Sequence, residues 1–122
     1  MSLKVASSEK SPGVFIVSPE GSLDTDTYPV LEEKVDLLLN TPPGTIIFDL
    51  EKLDYISSMG VRVIAKAKKS LKKSGGKIVL LNLQPQIRKV FDIIKALPSQ
   101  QIFETVEEMD RYLDIMQKGM RK

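Results

Sequence analysis

The stretch Leu50–Ala65, LEKLDYISSMGVRVIA, decides how the chain is read. An apolar strand ends in it and an amphipathic helix begins, with Ser57, Ser58 and Gly60 at the joint. Just upstream, Thr45–Leu50 (TIIFDL) is a continuous apolar run, the pattern of a central strand covered on both faces. Downstream, Gly60, Ile64, Ala67 and Leu71 fall on one helical face and Arg62, Lys66, Lys69 and Lys73 on the other, which predicts a helix over Gly60–Lys73. Ser74-Gly75-Gly76 closes that helix, and lysines in its last turn suit the helix dipole. A second apolar run, KIVLLNL (77–83), follows as another interior strand.

The pattern extends in both directions. Lys4–Glu9 is weakly strand-like, and Gly13–Gly21 holds a β-branched and aromatic run bounded by Pro12 and Gly21. The Ser-Pro-Gly between them predicts a hairpin. The hydroxyls and acids of DTDT then offer helix caps, and Leu31, Val35 and Leu38 recur at helical spacing. Pro29 suits the first turn of that helix, and Thr41–Gly44 (TPPG) stops it. A third helix opens near Pro85, with Ile87, Val90, Phe91, Ile94 and Leu97 as its apolar stripe. Ile102-Phe103 is read as a very short edge strand. Thr105 with Glu108 makes a capping box for a last helix that buries Val106, Met109, Leu113 and Met116.

Strands alternating with helices predict an α/β fold, a mixed sheet of about four to five strands with helices packed against it. The length of 122 residues suits a single domain over 1–122. Its ends, near 1–3 and 118–122 and at most to about Pro12 and beyond Gln117, are expected to fray. There is no internal repeat. No apolar run is long enough to span a membrane and no signal-peptide pattern opens the chain, so the expected compartment is the cytoplasm.

Composition excludes much chemistry. Cys 0 and His 0 remove thiolate catalysis, disulfides, thiolate metal sites and the commonest general base. A formal charge of +2 does not by itself call for a polyanion partner.

Three sites compete for a function. Ser57 and Ser58 sit at a strand's carboxyl end and a helix N-terminus, where α/β sheets meet ligands and where a phosphate is favoured. Composition alone favours the plainer role, a serine capping the helix. The basic face, Arg62, Lys66, Lys69 and Lys73 extended by Lys68, Lys72 and Lys77, lacks interleaved aromatics and reads as a solvated surface. The acidic set Asp24, Asp26, Glu32 and Glu33 has the ligand types for a divalent cation, but acids at a helix start are usually there for its dipole. No phosphate loop and no nucleophile elbow are present.

The runs FDLEKLDYISSMGVRVIA, GGKIVLLNL and QIRKVFDIIKAL…IF, with GSLDTDT before them, resemble the STAS domain of anti-sigma factor antagonists over nearly the whole chain. The resemblance implies a β-sheet with helices on one side. In that family a hydroxyl directly after an Asp, in Asp-Ser-Ser-Gly or Asp-Ser-Thr-Gly, is phosphorylated. Aligned on Gly60, Ser58 takes the phosphoacceptor position, Ser57 that of the acid and Met59 that of the second hydroxyl. Asp24 matches an acidic position in a neighbouring loop. The chain departs from the family at Ser57 and Met59.

The resemblance implies a non-enzymatic switch with no cofactor, no metal and no catalytic residue. Asp24, Ser57, Ser58, Met59, Gly60 and Arg62 would form the partner-binding surface. The partner would be an anti-sigma factor that is also a serine kinase, a phosphatase would reset Ser58, and neither nucleic acid nor membrane would be bound directly. The alternative within the family is an unphosphorylated docking subunit of a larger assembly such as a lipid-transport complex, which Met59 and the missing acid suit better. A small enzyme and a nucleic-acid binder are further classes with less in the sequence to carry them.

Overall fold

The computed structural model describes residues 2–96 together with 111, 113–115, 117 and 118. The predicted edge strand at Ile102-Phe103, the capping box at Thr105 and Glu108, and the positions Leu97, Val106, Met109 and Met116 lie outside the described residues.

Strands β1 (Leu3–Ser11) and β2 (Val14–Leu23) form the predicted hairpin, antiparallel from Leu3 opposite Gly21 to Ser11 opposite Val14. The first strand thus occupies most of the stretch expected to fray, held by pairing along its length. The second runs past Gly21 instead of ending there. Gly21 adopts φ 116°, and the register shifts between Gly21 and Ser22, so this glycine makes an irregularity within the strand rather than its stop. The other edge of β2 is shared. Val14–Val17 pair in parallel with β3 (Thr45–Asp49), and Gly21–Leu23 pair in parallel with β4 (Leu53–Ile56). The changeover falls at Ser18–Glu20 and contains Pro19, which has no N–H to give a ladder.

The short strand β4 is absent from the predicted order. Its burial along Leu-Asp-Tyr-Ile keeps only the two ends, Leu53 and Ile56, fully inside, so it shows no alternation to detect. It joins β3 through a turn in which Asp49 Oδ1 accepts from the Glu51 amide and from Asn82 Nδ2.

Strand β5 (Lys77–Leu81) pairs in parallel with β3 and has no second partner among the described residues. Lys77 and Leu81 are exposed and Ile78, Val79 and Leu80 are half-buried, so KIVLLNL is not the largely buried strand its apolar run predicts. The run TIIFDL also needs correction. Ile46 and Phe48 are fully buried, but Thr45, Ile47 and Asp49 are only half-buried, so the strand has one core face and not two. A β-branched residue fits the pleat of a half-covered face as well as a buried one, and a continuous apolar run does not separate the cases.

Helices α1 (Tyr28–Leu39), α2 (Ser58–Lys73) and α3 (Pro85–Ala96) supply the rest of the core. Leu31 and Val35, then Val63, Ile64, Ala67 and Leu71, then Ile87 and Val90, join Val17, Ile46 and Phe48 of the sheet in one cluster. The predicted stripes of α1 and α2 are those observed, and Leu113 of the last helical segment is buried with them as expected. Helix α2 ends as Ser74-Gly75-Gly76 predicted: the Gly75 amide donates to Lys72 O and the Gly76 amide to Leu71 O, a Schellman closure. Among the described residues no helix is long and apolar enough to cross a membrane.

Candidate functional site

The joint is built where β2 and β4 finish side by side. Leu23 lies opposite Ile56, and the Ser57 amide donates to Leu23 O at 2.8 Å. The chain leaving β2 enters the Asp24 loop, and the chain leaving β4 enters α2, so the loop and the two serines stand next to each other as the resemblance implies.

Ser57 is the cap. Its backbone is extended, and its Oγ accepts from the Gly60 amide at 3.4 Å. Helix α2 therefore starts at Ser58, two residues before the predicted start. The structure divides the serines: the capping role belongs to Ser57, and Ser58 is the first residue of the helix proper.

Ser58 is only 4% exposed, and its Oγ is closed to solvent. A phosphoacceptor would be expected to stand at least partly open, and here it does not. Tight seating of α2 is one reason. Gly60 is buried, and a Cβ there would lie 2.7 Å from Leu23 Cγ and 2.8 Å from Ile56 Cγ1. The missing side chain lets the first turn of α2 settle onto the ends of both strands.

Asp24 is occupied with its own loop. Its Oδ1 accepts from the amides of Asp26 and Thr27, and the Thr27 hydroxyl donates to Ser22 O at 2.7 Å. This is the Asx-turn chemistry of a short polar side chain. Thr27 occupies the cap position of α1 without a side-chain cap bond, because its hydroxyl is turned back into that loop. The acidic set does not converge. Glu32 faces Lys66 at 3.8 Å, Glu33 is exposed, and among the described residues no group of acids could hold a metal ion.

Met59 and Arg62 lie on the outer side of the joint. They share an open groove between α1 and α2 with Tyr28, Glu32, Lys66 and Lys69. One Arg62 guanidinium nitrogen stands 3.8 Å from Met59 Sδ. The basic residues Arg62, Lys66, Lys68, Lys69, Lys72, Lys73 and Lys77 are all exposed, as expected of a solvated face. Of the six residues proposed for partner binding, Ser57, Ser58 and Gly60 are buried, Asp24 and Met59 are half-buried, and Arg62 is exposed.

Comparison with known proteins identifies the family. The STAS domain family matches residues 6–109. The chain belongs to the STAS family. It is 33% identical over 85 residues, covering 70% of this chain and 73% of the relative, to the protein named "Putative anti-sigma factor antagonist BtrV" of Bordetella bronchiseptica. It is 32% identical over 77 residues, 63% of this chain and 70% of the relative, to the anti-sigma-B factor antagonist of Bacillus subtilis. The phosphorylated form of the Bacillus cell fate determinant SpoIIAA shares the fold, with a TM-score of 0.65 at 24% identity over 75% of this chain and 83% of that one. The STAS domain here is thus a five-stranded mixed sheet with helices.

One contact beside the joint escaped the sequence. Gln117 is fully buried and binds both backbone groups of Ile56, its Oε1 accepting from the amide at 2.9 Å and its Nε2 donating to the carbonyl at 2.7 Å. Its position four residues after Leu113 on an apolar stripe was the available signal: a polar residue there needs a buried partner.

Proposed function

We propose that this STAS domain is a non-enzymatic switch, an anti-sigma factor antagonist that binds an anti-sigma factor with serine-kinase activity and is turned off by phosphorylation at Ser58. The observation that carries the reading is the division of the joint. Ser57 caps α2, so Ser58, at the position the family phosphorylates, is not the helix's cap. The 33% identical relative supports the antagonist role, and SpoIIAA supports a phosphorylated state for this fold. The groove holding Met59 and Arg62 beside the joint would be the docking surface, with the Asp24 loop at its border.

A phosphate adds about −1.5 to −2 charges and three acceptor oxygens. A partner surface suited to a neutral hydroxyl would have to desolvate that charge, and a loss of only ~2.8 kcal/mol weakens binding about a hundredfold. The test is incubation with the kinase from the neighbouring reading frames and ATP, with the site mapped by mass spectrometry and partner affinity measured for Ser58→Ala and Ser58→Asp. Tight binding by the first and weak binding by the second is expected. Modification elsewhere, or equal affinities, refutes the reading. Purified protein should show no hydrolase, kinase or nucleotidase turnover.

The 4% exposure of Ser58, with Met59 where the family has a hydroxyl, favours a second reading: an unphosphorylated docking subunit of a larger assembly. Transporter subunits among the neighbouring reading frames would support it.

A further inference from the structure

The groove between α1 and α2 carries opposite charge on its two sides. On the α2 side stand Arg62, Lys66 and Lys69, all exposed. They recur at i, i+4 and i+7, and Lys73 continues them, so one basic ridge runs about 16 Å along the helix. The α1 side offers Glu32 and, one turn on, Asp36, while Lys34 falls on another face of that helix. Between the two sides, Tyr28, Met59, Val63 and Ala65 give the groove an apolar lining. The ion pair across it, Lys66 to Glu32 at 3.8 Å, is too exposed to hold it shut.

We infer, resting on the docking role proposed above, that the groove seats an amphipathic helix of the partner whose polar flanks are segregated by charge. Its apolar stripe faces Tyr28, Met59 and Val63. Its acidic flank faces the α2 ridge, and its other flank, toward Glu32 and Asp36, is basic. Acids at i, i+4 and i+7 share one flank of a helix, so about three turns match the ridge from Arg62 to Lys73. Entry exchanges the Lys66–Glu32 contact for an acid on Lys66 and a base on Glu32, which leaves neither charge alone. Other occupants fit worse. A nucleic acid or an anionic lipid surface that neutralised the ridge would set its own charge beside the acids of α1, and like charges placed together repel. A wholly apolar segment would desolvate Arg62 and Lys69 without giving them partners.

Synthetic helical peptides of about four turns, sharing one leucine stripe, test this without the partner. The first carries acids on one flank and lysines on the other. The second carries acids on both flanks. The third keeps the flanks of the first but has glutamine in place of the stripe. The first should bind, with chemical-shift changes centred on the Met59 methyl and Val63, and about tenfold more tightly than the second. The third should not bind. Lys66→Glu should weaken the first peptide about tenfold, or ~1.4 kcal/mol, whereas Lys68→Glu, on the same helix outside the groove, should change it less than about twofold. Both positions are exposed, so both variants should fold as the native protein does, which circular dichroism checks. No binding of the first peptide, equal binding of the second or third, or equal loss in the two variants overturns the inference. Neither a single-stranded oligonucleotide nor phosphatidylglycerol vesicles should displace the first peptide; displacement by either assigns the ridge to a polyanion and overturns it too. No kinase enters these measurements, and Ser58→Ala should bind the first peptide as the native protein does. A failed groove therefore leaves Ser58 to its own mass-spectrometric test, and an unmodified Ser58 leaves the peptide selectivity standing.

Discussion

Gly60→Ala is the most direct probe of how the joint is built. The added carbon would sit 2.7 Å from Leu23 Cγ and 2.8 Å from Ile56 Cγ1 and Leu23 Cδ2. Both neighbours are fully buried, and two of the three atoms lie near the side-chain root, so they cannot swing aside. Relief requires α2 to lift off the strand ends by several tenths of an ångström. Overpacking of this kind costs about 1–3 kcal/mol. Against it stands the better helix propensity of Ala, worth up to ~1 kcal/mol in a helix interior and less in a first turn. The expected net loss is about 1–2 kcal/mol. In urea, where m is about 1–3 kcal/mol per molar for small proteins, the midpoint should fall by about 0.5–1 M with m unchanged. The assay is equilibrium unfolding followed by far-ultraviolet circular dichroism. An unchanged or raised midpoint would show that α2 has room above Leu23 and Ile56, and the account of why a glycine stands there would fail.

Other substitutions separate the parts of the fold. Phe48→Asp places a charge at a fully buried position and should abolish cooperative folding, whereas Ile47→Asp, on the half-buried face, should leave a folded protein weakened by about 1–3 kcal/mol; thermal melts of the pair check this. Ser57→Ala removes a cap whose bond is long at 3.4 Å, so urea titration should show a loss at the low end of the usual range, about 0.5–1 kcal/mol. A double-mutant cycle on Glu32 and Lys66, 3.8 Å apart with side chains 36% and 59% exposed, should give a coupling below about 0.5 kcal/mol that vanishes in high salt.

The sequence by itself determined the element types and the helix faces. Helical periodicity is a local signal: Gly60, Ile64, Ala67 and Leu71 share a side whatever they pack against, and all four are buried. Turn chemistry is local too, so the Ser-Pro-Gly hairpin and the Schellman closure after Lys73 were legible. The joint was legible because two hydroxyls and a glycine between a strand and a helix are themselves a pattern, and the family resemblance gave each a position. Only the tertiary structure decided which serine caps the helix and how deeply the other is buried, because both depend on how closely α2 rests on Leu23 and Ile56. Only it decided that β4 exists, since a four-residue strand with just its ends buried is defined by its pairing with β2. The place of Gln117 was hidden for the same reason. Its partner, the backbone of Ile56, is 61 residues away in the chain, and no local rule reaches that far.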